Sequence, residues 1–440
     1  MRRVLLSLCG IIGPLAAAPS YYRDIQPILQ KQCQGCHQPA SKASDLDVTT
    51  FEAFEKGGKR GPAFLAGKPD ESATVRYLTG AMKPRMPLAQ PALAEADITL
   101  FRDWIAAGAK NDSPADSTEP SAAVYLQPPV ITALKFSPDG QSIAVSGNRE
   151  ILLHKADGSK LLHRLPGRAE RILSVAFSAD GKLLIAGGGT PAQFGEVQVW
   201  DVATAKLLRS ARLTNDTVFG ASLAPDSSKI AVGCADNTVH VFETATGKEL
   251  YKIGNHENWV LATVFGIDSK RFVSASGDRA AKLIDASSGA FLENVNLLRG
   301  ELNAIARHPK KDVVVLGGVE RYPYIYLMDR PRNMKIADDT TLVRKLDRQD
   351  GPINALDWSP DATRIAVASQ SAAVNLYDPE TGEKKASCTG HSAGIYTVAF
   401  SPDSTKLATG GFDGKVRVYN TKDCSLLHSF IPVPLSAGKP

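Results

Sequence analysis

Seven short turns of one kind punctuate most of this 440-residue chain, and their spacing restricts its fold more than any other feature. They are Ser137-Pro138-Asp139-Gly140, Ser178-Ala179-Asp180-Gly181, Ala224-Pro225-Asp226-Ser227, Gly266-Ile267-Asp268-Ser269, His308-Pro309-Lys310-Lys311, Ser359-Pro360-Asp361-Ala362 and Ser401-Pro402-Asp403-Ser404. Successive copies lie 41, 46, 42, 42, 51 and 42 residues apart. Each turn separates two runs that alternate apolar and polar residues, the period of a half-buried strand. A unit of this length made of strands and turns is a four-stranded sheet that cannot bury both faces alone, so copies stack and close into a ring. The spacing therefore predicts a seven-bladed β-propeller over residues 122–433, followed by a tail at 434–440. In the last copy the expected strands are Ile395–Phe400, Lys406–Gly411, Lys415–Asn420 and Ser425–Phe430.

Ahead of the repeats the pattern changes. Residues 111–121 are polar, contain Ser and Pro and show no periodicity, which reads as a linker. Residues 21–110 read as a small all-α domain. Tyr22, Ile25, Ile28 and Leu29 recur at helical spacing, and Pro27 falls in a first turn where it is tolerated. A second helix is expected at Glu95 to Ala107, with Ile98, Phe101, Trp104 and Ile105 on its apolar side and Gly108 as its stop. The expected architecture is thus a multidomain chain, all-α and then all-β. Residues 1–20 begin with Met1-Arg2-Arg3, continue with a short apolar run and end in small residues, the pattern of a cleaved secretory signal peptide. No later stretch is apolar for long enough to span a bilayer, so the expected location is the periplasm.

The helical domain carries Cys33-Gln34-Gly35-Cys36-His37. Cys-x-x-Cys-His is the spacing that covalent attachment of a c-type haem requires: two thiols add across the porphyrin vinyl groups, and the adjacent imidazole becomes the proximal iron ligand. A thioredoxin-like motif would instead stand in a strand–helix alternation, which is missing around Cys33. Structural zinc needs four ligands, and after His37 neither Cys nor His recurs until His154. One haem c, held by Cys33 and Cys36 with His37 on the iron, is the expected cofactor. For the sixth ligand Met86, between Pro84 and Pro87, is preferred to Met82, because the flanking prolines keep it out of a helix interior.

These residues carry two resemblances. Residues 21–110 resemble the cytochrome c domain of planctomycetes and related bacteria through Ile25-Gln26-Pro27-Ile28-Leu29, Cys33 to His37, Gly57-Gly58 through Gly61-Pro62, Gly67-Lys68-Pro69, Arg85-Met86-Pro87 and Trp104 to Ala109. That resemblance implies Met86, in the Met-Pro loop, as the axial ligand. Residues 122–433 resemble a seven-bladed WD-repeat propeller, with Trp200-Asp201 as signature and Phe242-Glu243, Ile284-Asp285, Met328-Asp329, Tyr377-Asp378 and Tyr419-Asn420 as degenerate copies. It implies structural hydrogen-bond relays at His391, Thr409, Asp413 and Tyr419, and at His256, Ser274 and Asp278, where Ile284 replaces the ring.

Together these features point to a periplasmic carrier of single electrons whose propeller docks a redox protein partner. The alternatives are a haem-linked oxidoreductase with a site in the propeller, and a haem-based redox sensor. A catalytic propeller would gather His, Asp, Glu or Cys at loops. Instead His154, His163, His240 and His428 fall inside expected strands, so the chain reads as non-catalytic. Loops at Gly188 to Glu196 and Gly317 to Pro323 offer Phe194, Tyr322 and Tyr324 as docking or packing residues. Net charge is only +5, from 51 basic and 46 acidic residues without a basic tract, which argues against nucleic acid as a partner. Cys234, Cys388 and Cys424 are an odd number and are expected as buried free thiols.

Overall fold

A computed structural model describes residues 18–38, 43–112, 122–328 and 337–436. Most of the expected signal peptide, linker residues 113–121, Asp329 and the last residues of the tail lie outside the described residues. The chain divides into two compact units between residues 119 and 120.

The first unit is helical. A π-helical turn, Tyr21–Ile25, runs into α1, Gln26–Gln32, with Pro27 in its first turn, where no intrahelical N–H is lost. Ser20 caps the entry by accepting the Arg23 N–H at 3.0 Å. Three more helices follow: α2 at Phe51–Lys56, α3 at Ala73–Thr79 and α4 at Glu95–Ala106. On α4 the spacing of Ile98, Phe101, Trp104 and Ile105 puts all four on one buried face. Trp104 is the centre of the core: the rings of Tyr21, Phe51, Phe54 and Phe64 surround it, with centroids 4.9–6.5 Å away. The entry helix differs from expectation in one respect. Tyr21 is buried in that cluster and Tyr22 is exposed, because Tyr21, Ile25 and Leu29, four residues apart, form the buried stripe.

The second unit consists of antiparallel sheets. Among the described residues there are six: one of seven strands, within Leu134–Thr214, and five of four strands, within Val218–Ile253, Val260–Asn294, Leu302–Lys345, Ile353–Cys388 and Ile395–Phe430. In every sheet each strand pairs with its neighbour in sequence. The repeated turn has a local cause. Ser137 Oγ donates to Asp139 and accepts the Ser142 N–H at 2.9 Å, while Asp139 accepts the Gln141 N–H at 3.0 Å. Ser178 with Asp180, Ser359 with Asp361 and Ser401 with Asp403 repeat the arrangement. A Ser-x-Asp turn thereby satisfies its own backbone and starts the second strand in register.

In the last sheet the strands are Ile395–Phe400, Lys406–Gly411, Val416–Asn420 and Leu426–Phe430, within one residue of the sequence reading. The first sheet departs from it. Leu161–Phe177 is one strand of 17 residues whose first part pairs with Asn148–Lys155 and whose last part pairs with Leu183–Thr190. Two expected four-stranded units are thus merged, because the Asn148–Arg171 pairing continues the ladder past Pro166 and Gly167. The expected loop at Gly188 to Glu196 is mostly strand as well: Leu183–Thr190 and Phe194–Asp201 pair up to Thr190–Phe194 around a tight turn. Cores form between sheets; one joins Leu134, Phe136 and Val145 of the first to Ala399, Ala408 and Val418 of the last. No helix among the described residues is long and apolar enough to cross a membrane.

Candidate functional site

The Cys-x-x-Cys-His segment leaves the C-terminus of α1. The Cys33 N–H still bonds Leu29 O at 2.9 Å, and the N–H groups of Cys36 and His37 turn back onto Cys33 O at 3.2 and 3.0 Å. That turn holds the three side chains in one short stretch. Cys33 is half-buried against the Trp104 cluster and Cys36 is exposed, both as free thiols. Burial, with the neighbouring Cys36, pushes the Cys33 thiol up to about 11. His37 Nδ1 lies 3.0 Å from the Ala43 carbonyl oxygen, and the Val48 N–H bonds His37 O at 3.0 Å. A carbonyl can only accept, so Nδ1 donates here; in the neutral ring that leaves the lone pair on Nε2, the tautomer an iron-ligating histidine needs.

The loop Gly57 to Gly61 braces both sides of this region. A Cβ on Gly58 would stand 2.4 Å from Ser44 O, so only glycine lets the loop lie against the segment that carries Ala43. The Lys59 N–H seals that approach by bonding Ser44 O at 2.9 Å. Arg60 reaches the other way: its guanidinium donates to the Tyr77 hydroxyl and, at 3.2 Å, to Lys83 O. Tyr77 O in turn accepts the Met86 N–H at 3.1 Å. One loop therefore links the backbone that orients His37 to the backbone that presents Met86. Met86 packs against the same apolar cluster as Cys33. Met82, whose N–H bonds Arg76 O at 2.9 Å, lies outside that cluster among the described residues, so of the two methionines it is Met86 that packs there. The donor set of two free thiols, one oriented imidazole and a thioether fits a c-type haem.

In the sheets, the histidines assigned to relays take part in them. His256 Nδ1 lies 2.8 Å from Asp278 and its Nε2 2.7 Å from Ser274 Oγ, while Ile284 is buried where a ring was missing. His391 bonds Thr409 through Nε2 at 2.7 Å, and its Nδ1 faces Asp413 at 3.2 Å and Arg417 at 2.8 Å. The Tyr419 hydroxyl donates to Thr389 O at 2.7 Å. The sequence reading missed a substitute relay: Gln349 Nε2 donates to the Tyr377 hydroxyl at 2.9 Å and Gln349 Oε1 accepts from Asn375 at 2.8 Å. Its signal was a glutamine at the position that histidine holds in other copies.

Tyr324 is buried and Tyr322 half-buried, in an aromatic row with Tyr326. Arg299 lies over Tyr324 at 4.8 Å and also holds Asp339, and Lys345 lies over Tyr322 at 3.5 Å. Phe194 takes Arg212 on its face at 5.3 Å. Cys388 and Cys424, expected as free thiols, form a disulfide. They were unreadable as a pair because they meet only through the packing of two neighbouring sheets. Cys234 alone of the three is a buried free thiol.

Sequence comparisons agree with this division. The family described as Planctomycete cytochrome C matches residues 33–87. The family described as WD domain, G-beta repeat, matches residues 159–190, 206–243, 340–378 and 382–420. The chain is similar to Periodic tryptophan protein 2 of Arabidopsis thaliana, 23% identical over 61% of this chain and 29% of the relative. It is similar to Protein tipD of Dictyostelium discoideum, 23% identical over 69% of this chain and 49% of the relative. WD repeat-containing protein 1 of Bos taurus is 35% identical over 18% of this chain and 13% of the relative. The chain spans less than half the length of each of these relatives. It carries WD repeats behind a cytochrome c-like segment.

Proposed function

We propose that this chain is an exported c-type cytochrome that moves single electrons to and from a protein partner, docked by the repeat unit. Cys33 and Cys36 hold one haem as thioethers, with His37 and Met86 as the iron ligands. Haem c supplies a one-electron iron couple, and thioether ligation favours its reduced state. The observation that carries the reading is the His37 imidazole, anchored through Nδ1 to Ala43 O beside two free thiols. Arg60 and the Gly58 contact hold the two ligand-bearing segments together, which limits reorganisation during electron transfer.

For the repeat unit the reading is a closed seven-bladed propeller serving as an interaction platform. The seven-stranded first sheet is then two blades sharing the strand Leu161–Phe177. Closure is supported by Leu134 N–H bonding Thr397 Oγ1 at 3.1 Å and Ile131 N–H bonding Gly411 O at 3.0 Å, from the start of the unit to its last sheet. Export is supported by the Cys388–Cys424 disulfide, which persists in oxidising compartments.

The test is to mature the full chain in a host able to attach haem c. One covalent haem per chain is expected, with a low-spin spectrum. Met86→Ala is expected to lose that ligation and lower the potential by on the order of 0.1 V, within the range that axial ligation spans, whereas Met82→Ala retains both. Colourless protein with Cys33 and Cys36 open to alkylation overturns the cytochrome reading.

A further inference from the structure

The hairpin that joins strand Lys229–Cys234 to strand Val239–Glu243 in the second sheet gathers three ligating side chains away from the haem motif. Asn237, at φ 67°, makes the turn tight enough for the Cys234 N–H to bond Thr238 O at 3.0 Å. As a result Cys234 Sγ, a carboxylate oxygen of Asp236 and a ring nitrogen of His240 all lie within 4.8 Å of one another. Cys234 and His240 are buried.

His240 has a second, independent peculiarity. Its Nδ1 lies 2.8 Å from Glu249 Oε1, on the neighbouring strand Glu249–Ile253, while Cys234 stands on the opposite neighbour of its own strand. A carboxylate accepts, so the proton is on Nδ1 and Nε2 presents a bare lone pair. That Nε2 is buried and has no hydrogen-bond partner among the described residues, an arrangement that costs free energy when nothing meets it. Histidine held by a carboxylate through one nitrogen, with the other unpaired, is how proteins present imidazole to a metal, and here the ring stands in the same cluster as a thiol and a carboxylate.

We propose that Cys234, Asp236 and His240 bind one thiophilic divalent ion of the zinc class, which clips this hairpin. Thiolate and carboxylate supply the two negative charges that balance the ion, and imidazole the third donor; water completes the four-coordinate shell. Donors 2.0–2.3 Å from a common tetrahedral ion stand roughly 3.3–3.8 Å apart, so the cluster closes on an ion by small side-chain rotations. Asp236 is now held by the Thr238 hydroxyl and, at 3.2 Å, by Lys252 Nζ. The ion displaces that ammonium from the carboxylate, which makes Lys252 the competitor and Glu249 the residue that positions His240.

The test uses the full chain as Cys9→Ala/Cys33→Ala/Cys36→Ala with the disulfide intact, so that Cys234 is the one thiol and the outcome is independent of the haem reading. Cobalt(II) is the probe, because thiolate coordination gives it a near-ultraviolet charge-transfer band. One cobalt per chain is expected, with that band displaced by zinc. Glu249→Gln is expected to weaken binding about 10–100-fold, as loss of a carboxylate behind a ligating histidine does. His240→Gln abolishes the band and Lys252→Met tightens binding. Zinc is expected to raise the melting temperature of the parent but not of His240→Gln, a comparison that each variant's own circular dichroism keeps free of misfolding. A folded parent that shows no thiolate–cobalt band, or binding that His240→Gln and Glu249→Gln leave unchanged, overturns the proposal.

Discussion

Asp278 shows how one carboxylate is made to matter in the sheets. Its burial acts to raise the pKa, but the hydrogen bonds from His256 and the N–H groups of Ala280 and Glu257 together win and hold the carboxyl well below the usual carboxylate range. A folded-state value below the unfolded one means that the stabilisation is present above about pH 4 and is lost as pH falls through the folded value. Asp278→Asn is therefore expected to cost about 1.5–3 kcal/mol at pH 7, with the gap in melting temperature from wild type narrowing in acid below pH 4. Thermal denaturation of both proteins from pH 7 to pH 2 measures it; a gap independent of pH would rule the charge out. At this scale the candidate site was partly legible. Cys33, Cys36 and His37 lie within five residues, so their spacing can be read directly. The supports Ala43, Gly58, Arg60 and Tyr77 were not legible, because they act through backbone atoms that any residue carries or through contacts distant in sequence.

Elements were read best where side-chain chemistry sets them locally. The Ser-x-Asp turn repeats its own hydrogen bonds in four copies, and in the last, the one copy given strand bounds from sequence, the strands on either side of it are Ile395–Phe400 and Lys406–Gly411 as expected. Along Leu161–Phe177 two expected strands became one although the turn dipeptide Pro166-Gly167 lies between them, because the ladder continues past it. Pairings between elements were the least legible, and the disulfide is the clearest case. Cys388 ends the outer strand Lys384–Cys388 of the fifth sheet, and Cys424 lies in the turn that precedes Leu426–Phe430 in the sixth. The bond therefore joins two sheets whose edges otherwise meet through side chains, across a sequence separation of 36 residues. Cross-links closing loops of this length stabilise by roughly 2–4 kcal/mol. Cys388→Ser/Cys424→Ser is expected to lose that amount in urea denaturation, and a reductant is expected to bring wild type to the level of the variant without altering the variant itself. Equal stability of the oxidised and reduced wild type would mean that the two sheets are already held by their apolar contacts.

At the scale of the repeat unit, stability turns on whether the stack of sheets ends or returns to its start. An open stack has two free faces, and each sheet gains only from its neighbours, so a weakened terminal sheet unfolds first and alone. A closed ring has no terminal sheet; damage at any junction is shared by all, and the unit melts as one. Gly410 tests the difference because it lies at the junction of the last sheet with the start of the unit. A Cβ there would stand 2.5 Å from Ile131 Cγ2, and Ile131 is itself buried and bonded to Gly411 O. Gly410→Val forces bulk into this seam, which costs about 1–3 kcal/mol for an overpacked core. In a closed ring the variant keeps a single transition, shifted as a whole to lower denaturant, and every tryptophan of the unit reports the same midpoint: Trp200 in the first sheet, Trp259 beside the third and Trp358 in the fifth alike. In an open stack the two sheets that share the seam separate as an early phase, and Trp259, beside the third sheet and away from the seam, keeps its wild-type midpoint. Coincident midpoints therefore support closure, and divergent ones reject it, since a seam that carries no load cannot lower the stability of the sheets it does not touch.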